Sequence, residues 1–283
     1  MRSETRLPNF IYVGPDKAGS SWLHEALITH PQVFMSPAKD LYYFDRYFDK
    51  GLDWYAAHFA KAGDQPIVGE VCQDYMFEER APARMAEVLP DPRFMVNLRD
   101  PVERALSSYL YMIRIGEEPG SFGEALATRP ILLDHSRYGS ALTRFIDVFG
   151  RDRIYLGLFD DLVEDPQSFF SALLSWLGLE PQELSDELLG VRLPASKARS
   201  PIVARIIRDA AAWVRVHDGA ELVGRVKRSQ RVQRLLYAPL KERPAVADED
   251  AAYIRSALRD EIAAVESLFD VDLRRRWNWP SDP

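Results

Sequence analysis

Short apolar blocks alternate along the chain with longer stretches whose apolar residues recur every three or four positions. The blocks 10–13, 67–71, 94–98 and 153–158 are near-continuous apolar runs, the pattern of strands buried on both faces of a parallel sheet. Helical spacing marks 20–29, 80–88, 101–115, 137–149, 165–178, 201–217 and 248–268. Within 101–115, Val102, Ala105, Leu106, Tyr109, Leu110 and Ile113 form one buried stripe. Asp100 is its expected N-cap, Pro101 suits the first helical position and Glu103 completes an Asp-x-x-Glu box. The 201–217 stretch carries Ile202, Ile206, Ala210, Trp213 and Val214, and the last helix carries Tyr253, Leu258, Ile262 and Leu268. This rhythm predicts an α/β fold: a parallel sheet with helices on both faces, a ligand at the carboxyl ends of its strands, and a helical C-terminal region.

Two strand ends carry candidate chemistry. After the first strand the chain reads GPDKAGSSWL, with Gly14 and Gly19 permitting a tight turn, Ser20 and Ser21 expected to cap the helix, and Lys17 inside the loop. First-turn N–H groups of such a helix bind anions. The glycine spacing matches the P-loop G-x-x-x-x-G-K-[ST], but Ser20 stands where that motif has its lysine. A plain strand–turn–helix with a solvent-facing Lys17 is the competing reading. After the third run, Arg99 and Ser107 are spaced to clamp a tetrahedral anion between a guanidinium fork and a hydroxyl; the competing reading pairs Arg99 with a surface carboxylate and makes Ser107 helix filler.

GPDKAGSSWL followed by LRDPVERALSSY resembles the sulfotransferases that use 3′-phosphoadenosine 5′-phosphosulfate (PAPS), in the style of the bacterial and heparan-type branch. HPQVF at 30–34, KDLYYFD at 39–45, GLDWYAAHF at 51–59 and the run 136–179 follow in the family's order, SKAR at 196–199 resembles its basic nucleotide loop, and LRRRW at 273–277 is a weaker echo. The resemblance implies a P-loop-NTPase-like sheet and a single sulfotransferase domain over 1–283. That domain would comprise a PAPS-binding core at 8–200, a basic helical lid or acceptor-binding segment at 201–244, and a C-terminal helix and tail at 245–283. It implies roles too. Lys17, Ala18, Gly19, Ser20, Ser21 and Trp22 would bind the 5′-phosphosulfate, Arg99 and Ser107 the 3′-phosphate, and Lys197 and Arg199 would lie near the nucleotide. Lys17 would balance transition-state charge, and Asp40, one methylene shorter than the family's glutamate, would take the acceptor's proton. PAPS would be the donor and PAP (3′-phosphoadenosine 5′-phosphate) the product, with no metal. His24, His58 and His135 are rival bases without a sequence-visible partner, and a solvated loop carboxylate beside Lys39 is the competing reading of Asp40. At 68–76, VGEVCQDYM keeps Glu70 and Tyr75 of the family's G-E-K-[ST]-P-x-Y but has Val71, Cys72 and Gln73 in place of its lysine, hydroxyl and proline. That departure points to a different acceptor from the heparan-type one.

Composition narrows the setting without naming the acceptor. The chain has 283 residues, 47% hydrophobic and 28% charged, ordinary for a globular domain. Its single cysteine, Cys72, excludes an intrachain disulfide framework or a cysteine-rich metal site and is expected to be buried. No secretory leader or apolar run of about 20 residues is visible, so the expectation is a cytoplasmic enzyme of secondary metabolism with no membrane partner. The net charge of −7 counts against nucleic acid, although 191–244 alone carries +9. That basic stretch reads either as a lid for an anionic or carrier-bound acceptor or as a solvated face. The reading is therefore a sulfotransferase acting on a hydroxyl or phenol of a small molecule, with a homodimer left open. A small-molecule kinase of P-loop type and a nucleotide-binding relative without catalysis are the alternatives.

Overall fold

The computed structural model describes residues 6–190 and 244–280, with the backbone of 196–198 and 237–239. Five strands form one parallel sheet: β1 (Phe10–Gly14), β2 (Val33–Met35), β3 (Ile67–Val71), β4 (Arg93–Leu98) and β5 (Ile154–Leu158), in the spatial order β2-β3-β1-β4-β5. β1 and β3 are buried throughout and β4 at all but its first residue, as strands covered on both faces must be, whereas the edge strands β2 and β5 are only partly buried. Alternation along β4 divides the packing. Phe94 meets Phe145 and Phe149 of the helix Tyr138–Phe149, and Met95 joins Phe10, Tyr12 and the helix Pro166–Leu177 in the opposite cluster.

The sheet order determines where a ligand can enter. The chain leaves β1 toward β2 on one side, through helix α1 (Ser20–Leu27), and leaves β4 toward β5 on the other. Neighbouring strands whose connections diverge open a crevice at their carboxyl ends. Lys17 and Arg99 lie just past those two ends.

The chain separates into two compact units. The first contains 1–99, 138–191 and 261–273, hence the whole sheet; the second contains 100–137, 192–260 and 274–283. In the second, the helix Pro101–Arg114 packs Val102, Leu106 and Leu110 against Phe122, Leu132, Ile254 and Leu258. Asp100 caps it as expected, its Oδ1 accepting from Val102 N at 2.7 Å. The buried face is wider than the predicted stripe: Arg104 is fully buried, donating to Ser136 Oγ (2.5 Å) and to the carbonyl of Leu132 (2.5 Å), while Ile113 is half-buried. Residue 196–198 backbone pairs antiparallel with 237–239. The predicted helix 201–217, Arg199 and most of the basic 201–244 segment lie outside the described residues, as does the side chain of Lys197.

Candidate active site

The loop between β1 and α1 is held by the strand beside it. Asn97 of β4 donates from Nδ2 to the carbonyl of Ala18 at 2.6 Å, and Arg99 donates from Nη1 to the carbonyl of Lys17 at 2.9 Å. Tyr12 OH donates to the carbonyl of Pro15 at 2.7 Å. Three carbonyls are thereby tied back, and Lys17 occupies the left-handed region at φ 64°. Gly14, at φ 143°, has no room for a side chain: a Cβ there would lie 2.6 Å from the carbonyl oxygen of Gln73.

The helix cap differs from the expectation. Gly19, at φ 92°, is the N-cap of α1, and no side chain caps the helix among the described residues. Ser20 and Ser21 are its first two helical residues, one position too late to cap, and their hydroxyls meet Lys39 instead. Lys39 Nζ donates to Ser20 Oγ at 2.8 Å and lies 3.4 Å from Ser21 Oγ. Trp22, expected near the ligand, turns its ring into the core, edge-on to Phe169 and Phe170 with Nε1 donating to Leu188 O at 2.9 Å. Only its main chain is left to serve a ligand at the helix start.

Asp40 is a buried carboxylate, not a solvated one, at 6% exposure. It adopts φ 62°, and its N–H donates to the carbonyl of Val71 at 2.7 Å, anchoring it to the end of β3. Its Oδ2 lies 3.7 Å from Lys39 Nζ, and its buried Oδ1 has no hydrogen-bond partner among the described residues. Behind it, Glu70 is fully buried between two phenols: Tyr55 OH donates to Oε2 at 2.5 Å and Tyr75 OH to Oε1 at 2.8 Å. Burial pushes the Glu70 carboxyl up to about 7 despite those donors. Burial likewise raises the Cys72 thiol, with Glu70 adding to it; such a thiol is inert, as expected. Asp45 is raised to about 6, chiefly by burial, while Arg46 pulls it back.

On the far side of the crevice, Arg99 lies 4.4 Å over the Phe159 ring, and its carbonyl accepts from Tyr138 OH at 3.0 Å. The stacking fixes the plane of the guanidinium. Ser107 belongs to the second unit, half-buried on its helix. Of the rival bases, His24 is buried with Nε2 3.0 Å from the carbonyl of Ser36, and His58 stands edge-on to Trp54. Sequence reasoning assigned no site role to Lys39, noted Gln73 only as a departure from the family motif, and passed over Asn97. A polar residue inside the run FMVNL was the one available signal for Asn97, since a buried amide requires a partner.

Comparison with known proteins bears on the fold and on a segment of the chain. Residues 77–183 match the model described as Sulfotransferase family, a segment that includes β4, Arg99 and Ser107 and starts after the β1–α1 loop. Heparan sulfate glucosamine 3-O-sulfotransferase 6 of Mus musculus is 31% identical over 186 residues, covering 62% of this chain and 53% of its own. Bifunctional heparan sulfate N-deacetylase/N-sulfotransferase 3 of Homo sapiens is 28% identical over 213 residues (65% and 24%), and the membrane-associated sulfotransferase kil1 of Dictyostelium discoideum 36% over 111 residues (38% and 24%). The chain thus spans about a quarter to a half of these relatives' length. The solved sulfotransferase of Alicyclobacillus acidocaldarius has the same fold, with a TM-score of 0.61 at 24% identity over 81% of this chain and 99% of that one. Residues 77–183 are thus similar to the sulfotransferase family, and the chain shares the fold of a solved sulfotransferase.

Proposed function

We propose that the protein is a PAPS-dependent O-sulfotransferase whose acceptor is a hydroxyl or phenol on a small molecule. The observation that carries the reading is the tie between Arg99 and Lys17 across the β1/β4 crevice, which joins at 2.9 Å the backbone of the residue suited to the 5′ end of the nucleotide to the residue suited to the 3′-phosphate. The residues present fit the donor's anionic end: an uncapped helix start, two hydroxyls and a lysine in a loop whose Gly14 leaves no space for a Cβ. PAPS, when bound, supplies an activated sulfuryl group on a phosphate leaving group.

The chain's own groups do the rest. Lys17, with the N–H groups of Ser20, Ser21 and Trp22, meets charge that accumulates on the phosphate side as the bond to it breaks. Asp40 takes the acceptor's proton. Arg99 is suited by residue type to the 3′-phosphate. The fold is read as one sulfotransferase domain over 1–283.

A small acceptor is favoured by the departure at 71–73, where Val71, Cys72 and Gln73 stand in place of the lysine, hydroxyl and proline of the heparan-type motif. A cytosolic setting belongs to the same proposal and is supported by a lone buried thiol in place of a disulfide framework. The test is transfer of labelled sulfate from PAPS to a panel of phenols, alcohols and sugars. Lys17→Ala is expected to reduce turnover by roughly 10²–10³-fold; undiminished turnover in that variant removes Lys17 from the reaction.

A further inference from the structure

Lys39 sits where a cation alone is unfavourable. Its ammonium donates to Ser20 Oγ at 2.8 Å and lies 3.4 Å from Ser21 Oγ, so it stands over the first turn of α1, the positive end of that helix dipole. Its one carboxylate neighbour among the described residues, Asp40 Oδ2, is 3.7 Å away, beyond hydrogen-bond distance. The other Asp40 oxygen is buried and has no hydrogen-bond partner among the described residues. An ammonium and two serine hydroxyls meet at a helix N-terminus without a side-chain cap, Ser20 Oγ also donating to Gln73 Oε1 at 3.4 Å, and an anion suits the donors gathered there.

We propose that Lys39 is a second cation of the donor site, contacting the 5′-phosphosulfate oxygens alongside Lys17 and linking them to the base Asp40. The inference rests on the sulfotransferase reading above and adds a residue to it. Lys39 keeps its protons throughout. Meanwhile the sulfur–oxygen bond to the acceptor forms, the bond to the 5′-phosphate breaks with its electron pair staying on that phosphate, and Asp40 takes the acceptor's proton.

The experiment is calorimetry on wild type, Lys39→Met and Lys39→Arg with two ligands, PAP and adenosine 3′-monophosphate, which lacks the 5′ group. Lys39→Met is expected to lose roughly ten- to a hundredfold of its affinity for PAP and none for adenosine 3′-monophosphate. Lys39→Arg is expected to hold PAP within about threefold of wild type, since the charge is kept. The second ligand reports on folding of the variant as well as on the 3′ site. Unchanged PAP affinity in Lys39→Met, or equal losses for both ligands, overturns the assignment of Lys39 while leaving the donor reading in place. Failure of wild type to bind PAP overturns both.

Discussion

Glu70 places a carboxyl with a raised pKa in the wall behind the site. The folded protein holds a proton on it up to about pH 7, whereas an unfolded chain releases that proton near 4.5. Between those values the folded state binds more protons, so stability falls as pH rises through the window and the penalty is complete above it, amounting to about 3 kcal/mol. Glu70→Gln keeps the shape and lets Tyr55 and Tyr75 reorient their hydroxyls. Thermal unfolding of this variant is expected to lose most of the decline between pH 5 and pH 8; a slope equal to wild type would show that Glu70 is ionised in the fold. Asp45, raised to about 6 by burial, contributes with the same sign and accounts for a remaining slope at lower pH. At the same scale, residue type and motif single out Lys17, Asp40 and Arg99 as candidates. Lys39 is not among them, because its bond to Ser20 joins residues 19 positions apart and depends on how the segment after β2 returns to α1.

The strands and the β1–α1 loop are the elements that make the site. β1, β3, β4 and β5 could be read from the sequence because burial on both faces leaves continuous apolar runs, and the structure moves their limits by a residue at most. β2 escaped notice: three residues at a sheet edge show no period. The helices Leu52–Ala57, Phe122–Thr128, Ile131–Asp134 and Phe159–Glu164 escaped for the same reason, being two turns or less. The loop depends on close backbone approach at Gly14. Gly14→Ala combines a conformation that L residues rarely adopt with a Cβ 2.6 Å from the Gln73 carbonyl oxygen, and backbone cannot yield as a side chain can. A loss of roughly 2–4 kcal/mol of unfolding free energy is expected by denaturant titration. Gly178→Ala, at φ 72° with nothing within 4 Å of a Cβ, serves as the control and is expected to lose about 1 kcal/mol. Equal losses in the two would mean that contact with Gln73 is immaterial to the loop.

For the molecule as a whole, sheet order and the fold shared with a solved sulfotransferase agree, and diverging connections after β1 and β4 leave a crevice flanked by Lys17 and Arg99. The acceptor was the least legible property. The basic stretch 191–244, with a charge of +9 in a chain of −7, reads either as a lid or as a solvated face and lies mostly outside the described residues. The donor is a sharper question, because the displaced lysine distinguishes two nucleotide classes. A kinase of P-loop type requires its lysine directly after the second glycine and a hydroxyl on Mg²⁺, and Ser20 stands at that lysine position. Calorimetric titration with PAP and, separately, with ADP plus Mg²⁺ tests the central claim most directly. Binding of PAP at least about tenfold tighter than ADP with Mg²⁺ is the result predicted by the Lys17 and Arg99 geometry, and equal or tighter binding of ADP with Mg²⁺ would contradict it.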